Sequence, residues 1–110
     1  MTSALAEKNC TSCGGHTAPL KGDALRQMQK QLDGNWKVIG DEHLEREFEF
    51  PDFRQALAFT NRVGLIAEEQ NHHPDVYLTY GQVRLELSTH NAGGLTENDF
   101  ILAAKINELV

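Results

Sequence analysis

Three of the chain's five histidines, His72, His73 and His90, fall within nineteen residues, and the carboxylates Glu68 and Asp99 flank them. Imidazole is the side chain whose ordinary pKa lies nearest neutrality, so it can both give and take protons there. A cluster of three points to proton transfer or metal binding. His72 and His73 are adjacent and precede Pro74, which rigidifies the exit from the helix expected before them. A plainer reading is also open, because histidines at a helix C-terminus satisfy free carbonyls and favour the helix dipole. One such histidine would need no further account; two side by side, locked by proline, are harder to set aside. Glu68 stands four residues before His72, a spacing that makes helical neighbours, so it can orient that imidazole or form an ordinary surface pair. Taken alone, His90 reads as a surface histidine, yet it lies at a strand end just before Gly93-Gly94, where sites gather. Asp99 reads as a helix-capping residue that could also orient a histidine. Tyr80 is expected to pack in a hairpin, and Trp36 in the core or at a pocket wall.

Metal ligation by the cluster is disfavoured. The i, i+4 histidine pair of zinc hydrolases is absent, and adjacent histidines diverge. No serine or cysteine stands in a nucleophile elbow, and no glycine-rich phosphate loop follows a strand. Cys10 and Cys13, with His16 nearby, could form part of a zinc site or a redox pair. Structural zinc usually takes four protein ligands, so incidental thiols in a polar arm are the simpler reading. Proton transfer by histidine is the chemistry that remains, with no metal expected.

The elements that must position these groups follow from periodicity. A chain of 110 residues supports one domain with one core. Residues 1–19 show no period and read as a flexible arm outside the core, leaving 20–110 as the domain. A helix is predicted over Asp23–Leu32, capped by Asp23. Trp36 to Ile39 reads as a short strand. Residues Leu44 to Phe50 alternate as a half-buried strand, Leu44, Phe48 and Phe50 against Glu45, Glu47 and Glu49, with Arg46 out of pattern. Asp52 caps a long helix ending near Asn71, with Phe53, Ala56, Leu57, Val63 and Ala67 as its buried stripe. A hairpin follows, turning at Gly81-Gln82, and parity then puts His90 on the face away from the core. Thr96 caps a last helix with Asp99 in a capping box. The order predicts an α+β fold: a two-layer sandwich with a four-stranded antiparallel sheet and helices on one face.

Sixteen acidic and ten basic residues give a net charge of −6, which disfavours nucleic acid and anionic lipid as partners. No apolar stretch is long enough to span a bilayer, and the N-terminus lacks the apolar segment of a secretory signal. A cytoplasmic location is expected. Two other functions fit the same features: a binding module or transcriptional partner that keeps the histidines unused, to be separated by a turnover assay, and a metal protein using Cys10, Cys13 and His16 or the histidine cluster, to be decided by elemental analysis.

The run Glu68-Glu69-Gln70-Asn71-His72-His73-Pro74, followed by Tyr80, His90 and Asp99, resembles the signature of the pterin-4a-carbinolamine dehydratases, and the resemblance extends from about residue 22 to the C-terminus. It implies a cofactor-free hydro-lyase that converts 4a-hydroxytetrahydrobiopterin to quinonoid dihydropterin and water. Such an enzyme serves tetrahydrobiopterin recycling for an aromatic amino-acid hydroxylase and forms a homodimer or homotetramer. An animal member also assists dimerisation of a homeodomain transcription factor. Transferred position by position, the resemblance implies that His72 and His90 are the acid–base pair and that His73 binds and orients the pterin. Glu68 and Asp99 would orient imidazoles. Trp36, Pro74, Thr89, Asn91 and Ala92 would line the pocket with the histidines. It attaches no meaning to Cys10 and Cys13.

Overall fold

The alternation at residues 44–50 becomes the strand His43–Glu49, which pairs antiparallel with Gln82–Leu87 through Leu44↔Leu87, Arg46↔Leu85 and Phe48↔Val83. These are β2 and β4 in the order β1 (Lys37–Ile39), β2, β3 (Asp75–Leu78), β4, and they form the centre of a sheet ordered β1-β2-β4-β3. The computed structural model describes residues 4–11 and 18–110. Three helices complete it: α1 (Gly22–Gln31), α2 (Phe53–Gln70) and α3 (Glu97–Asn107), with a 3₁₀ turn at His90–Ala92 before α3. The α+β prediction holds. Leu44 and Phe48 of β2 and Val83, Leu85 and Leu87 of β4 are buried against the helices. Each such side chain stabilises the fold by roughly 1.5–3 kcal/mol. The opposite face carries Glu45, Glu47, Glu49, Arg84 and Glu86, half-buried or exposed. No helix among the described residues is long and apolar enough to cross a membrane.

α3 is the buried centre of the helical layer, with Phe100, Ile101, Leu102, Ala103, Ala104 and Ile106 all enclosed. α1 and α2 flank it, and α2 also meets β3 and β4. Burial on every side suits a helix with another layer over it. Part of that layer is the N-terminal segment: Leu5 and Ala6 join the core, and Lys105 Nζ donates to the Ala6 carbonyl (2.8 Å). For residues 4–11 the expectation of an arm outside the core is therefore corrected. Leu5-Ala6 is too short an apolar pair to show a period, yet both side chains are buried in the core while Ala4 stays exposed.

Other expectations shift locally. α1 begins at Gly22 with Lys21 in the N-cap position, and Asp23 lies in the first turn, bonded to Arg26 (3.1 Å). On α2 the buried stripe is Ala56, Phe59, Val63 and Ala67, whereas Phe53 and Leu57 are about two-fifths exposed (42% and 39%). The hairpin turns one residue early, through Tyr80 and Gly81, where Thr79 N–H donates to the Gln82 carbonyl (2.9 Å). A Cβ on residue 81 would come within 2.9 Å of the Phe50 carbonyl, so close backbone approach explains the glycine. Tyr80 rides on that turn, exposed rather than packed.

Candidate active site

α2 ends in a way that aims its two histidines apart. Asn71 adopts the left-handed conformation (φ 51°), its N–H donates to the Glu68 carbonyl, and the His72 N–H reaches back to the Ala67 carbonyl (3.2 Å). This is the Schellman pattern of helix termination. Beyond it His72 turns inward. Its Nε2 lies 2.6 Å from Asp99 Oδ1, across 27 residues of sequence. His73 turns outward and pairs with Glu68 on the surface. The i, i+4 reading, in which Glu68 orients His72, assumed an unbroken helix; the left-handed residue gives Glu68 to His73 instead.

Asp99 has no solvent exposure, so its carboxylate depends wholly on protein partners. It has three. Oδ1 faces His72, while Oδ2 accepts from the Thr89 hydroxyl (2.8 Å) and from the Thr96 backbone N–H (2.9 Å). The last of these is half of the predicted capping box. It places the carboxylate in the first turn of α3, where the helix dipole favours negative charge. The Thr89 and Thr96 hydroxyls also bond each other (2.8 Å). An ionised Asp99, with its lone pairs facing these groups, favours the His72 tautomer that carries its proton on Nε2 and has Nδ1 as the acceptor nitrogen.

Strand parity fails for His90, because β4 stops at Leu87. Thr89 then bridges Gly94 and the chain folds into the 3₁₀ turn that carries His90. This loop brings His90 to the same cavity as the histidine pair. The cavity measures about 380 Å³ and is lined by Thr11, Asn71, His72, His73, Ser88, Thr89, His90, Asn91 and Asn98. That volume lies within the range of small-molecule sites. Of the expected wall residues, Thr89 and Asn91 line it, while Pro74 and Ala92 do not. Trp36 belongs elsewhere. Its indole N–H donates to Asn107 Oδ1 (2.8 Å), and its ring meets Phe48 edge-on at 6.1 Å. Asn107 is eight residues along α3 from Asp99, about 12 Å of helix axis. A larger hollow of about 620 Å³ beside Trp36 is lined by Lys37, Arg46, Glu45 and Glu47 but by no histidine, so the smaller cavity is the one that gathers the imidazoles. Arg46 there donates to Asn107 (2.7 Å), and burial pulls its pKa below the usual arginine value.

Sequence reasoning missed Thr11, Asn71, Ser88 and Asn98. Three of these adjoin a residue that was singled out (Asn71 beside His72, Ser88 beside Thr89, Asn98 beside Asp99); Thr11 carried no signal. Cys13 and His16 lie outside the described residues. The Cys10 thiol points to the Asn98 carbonyl (3.5 Å). One other group could approach a cation among the described residues: His43, Glu45 and Glu86, with ligand atoms within 4.8 Å of one another on the open sheet face. Glu86 there already faces Arg84 at 3.3 Å.

The family model described as pterin 4 alpha carbinolamine dehydratase matches residues 18–109. A protein of Rubrobacter xylanophilus, provisionally named a pterin-4-alpha-carbinolamine dehydratase, is 50% identical over 97% of this chain and 99% of its own. A protein of Alkaliphilus metalliredigens with the same provisional name is 48% identical, covering 94% of each. Among solved structures, a transcriptional coactivator/pterin dehydratase from Brucella melitensis superposes with a TM-score of 0.75 at 35% identity, covering 82% of this chain and 96% of that one. A pterin dehydratase-like RuBisCO assembly factor of the alpha-carboxysome shares the fold at 23% identity (TM-score 0.60), covering 69% and 89%. The chain belongs to the pterin-4a-carbinolamine dehydratase family, a family of hydro-lyases.

Proposed function

We propose that the protein eliminates water from 4a-hydroxytetrahydrobiopterin to give the quinonoid dihydropterin, using His72 and His90 as acid and base. One observation carries the reading: His72, held by a buried carboxylate, opens into the same cavity as His90, which arrives on a different loop. The elimination needs two proton transfers. An imidazolium gives its proton to the departing hydroxyl as the C4a–O bond breaks. A neutral imidazole takes the proton from the neighbouring ring nitrogen, and the N–H electron pair becomes the new C=N bond. Both transfers suit histidine. Either His72 or His90 can take either part. With Nε2 committed to Asp99, His72 offers Nδ1. His73, exposed and paired with Glu68, binds and orients the ring. The step is redox-neutral, so it calls for no electron carrier.

The product must be reduced before it can serve an aromatic amino-acid hydroxylase again, so the proposed role is in tetrahydrobiopterin recycling, with a cytoplasmic location as part of the proposal. The proposal includes a homodimer or homotetramer, supported by Phe53, Leu57 and Leu65, which stand exposed on α2. The test is turnover of enzymatically generated carbinolamine by His72→Ala, His90→Ala and the double variant. Each single variant should lose roughly a hundredfold or more. A folded double variant working at the wild-type rate refutes the assignment.

A further inference from the structure

Residues 4–11 precede the stretch matched by the family model, and the histidine chemistry makes no use of them. They are nevertheless bound to both helix ends that build the cavity. Leu5 is anchored in the core, and Lys8 reaches Glu97 at the start of α3 (3.2 Å). Further on, the Cys10 N–H donates to Gln70 Oε1 (2.7 Å), and Gln70 Nε2 donates to Asn9 Oδ1 (3.2 Å). Gln70 is the last residue of α2, buried, two positions before His72. The Thr11 N–H donates to Asn98 Oδ1 (3.0 Å), and Asn98 Nδ2 donates to the Thr11 carbonyl (2.6 Å). Asn98 is buried and directly precedes Asp99.

Two buried side-chain amides, one from each helix end, thus spend both donor and acceptor on one three-residue stretch. Buried amides are costly unless satisfied, so this stretch is held where they need it. The two bonds to Asn98 fix the peptide groups on both sides of the Thr11 Cα, and with them the direction of a side chain that lines the cavity.

We infer that Thr11 is a fixed part of the wall of the substrate cavity, contacts the pterin and selects among its ring substituents, while Asn98, bonded to Thr11 itself, and Gln70, bonded to the two residues before it, are positioning residues that hold it in place. This rests on the dehydratase reading. Because His72 and His90 handle the protons, Thr11 meets a part of the ligand that does not react. Changing it alters binding and selectivity ahead of turnover.

The experiment uses the full-length protein and two carbinolamines, one with the dihydroxypropyl side chain of biopterin and one with a 6-methyl group. Thr11→Phe should raise KM about tenfold, keep kcat within about threefold, and shift the kcat/KM ratio between the two substrates by about threefold or more. Asn98→Ala and Gln70→Ala should raise KM by several-fold at near-constant kcat. Gln70→Glu, which keeps the acceptor for the Cys10 N–H, should recover much of that loss, a split that a merely structural role would not produce. Should a variant fail to fold, amide hydrogen exchange on the wild-type protein decides: saturating 7,8-dihydrobiopterin should slow exchange in residues 8–11 as it does around His72. Wild-type KM and selectivity in Thr11→Phe, or exchange in 8–11 indifferent to the pterin, would overturn the inference while the dehydratase reading stands. A wild-type protein without turnover would overturn both.

Discussion

Asp99→Asn separates the two tasks of the buried carboxylate, because the shape is kept and only one acceptor atom is lost. Asp99 receives three hydrogen bonds with no solvent exposure: His72 at 2.6 Å, Thr89 at 2.8 Å and the Thr96 N–H at 2.9 Å. An asparagine that keeps its oxygen toward Thr89 and Thr96 preserves the cap of α3. Its NH₂ then faces His72 Nε2, which must become an acceptor, moving the ring proton to Nδ1. Charge-assisted bonds weaken to neutral ones, by about 1 kcal/mol each, but a buried charge is also removed, so the net cost should be about 1–2 kcal/mol. That is small enough for the protein to fold. The wrong tautomer should lower kcat by roughly 10²–10⁴. KM should stay within about threefold, because the cavity wall is unchanged. Urea unfolding followed by circular dichroism reads the first effect, and stopped-flow dehydration of the carbinolamine reads the second. If Asp99→Asn retains kcat within threefold while losing the expected stability, Asp99 is a helix cap and nothing more, and the argument that it presents His72 is refuted.

Two other substitutions test the framework. Asn71→Val forces a β-branched residue into the left-handed region (φ 51°) and should cost about 1–2 kcal/mol, with a fall in kcat as His72 loses its aim, whereas Asn71→Gly should be neutral or stabilising in urea unfolding. Asn107→Ala removes the acceptor shared by Trp36 and Arg46 and the donor to the Asp33 carbonyl (2.7 Å). It should cost about 2–4 kcal/mol. Well below its melting temperature the variant should still turn over within threefold of wild type, because Asn107 lies about 12 Å along α3 from Asp99.

Local features of the fold could be read from the chain, and long-range ones could not. Alternation at 44–50 and the Asp52 cap of α2 are properties of neighbouring residues, and both stand as expected. The rotational phase of α2 depends on what covers it. Two apolar rows compete there, and the sheet and α3 select Ala56, Phe59 and Val63 over Phe53 and Leu57. The same limit explains the site. That His72, His73 and His90 could share one site was visible in their types, and Asp99 was a candidate to orient a histidine, but which carboxylate pairs with which ring was not. One left-handed residue at Asn71 hands Glu68 to His73 and sends His72 to a residue 27 positions away. Trp36 packs in the core, as its type suggested, but away from the histidine cavity, held by a hydrogen-bond partner 71 residues distant that no local pattern announces. Thr11 enters the cavity through the side chain of Asn98, 87 residues on, with no pattern of its own to announce it.

The carboxylate that orients the candidate catalytic imidazole is the same one that starts a helix, and the residue that ends another helix aims that imidazole. This economy has a physical basis. A carboxylate with no solvent exposure is tolerated only where several donors converge, and the first turn of α3 supplies a backbone N–H, a favourable dipole and the Thr89–Thr96 hydroxyl pair beside it. The C-terminus of α2, closed by Asn71, arrives there with the one remaining donor, His72 Nε2. Each helix end completes the hydrogen bonding of the other, so docking α2 against α3 and presenting His72 are a single event. Loss of Asp99 should therefore loosen the junction of the two helices as well as the imidazole. That explains why the conservative asparagine, and not alanine, is the informative substitution: alanine would leave the Thr96 N–H and the His72 ring without a buried acceptor at once, and fold and chemistry would fail together.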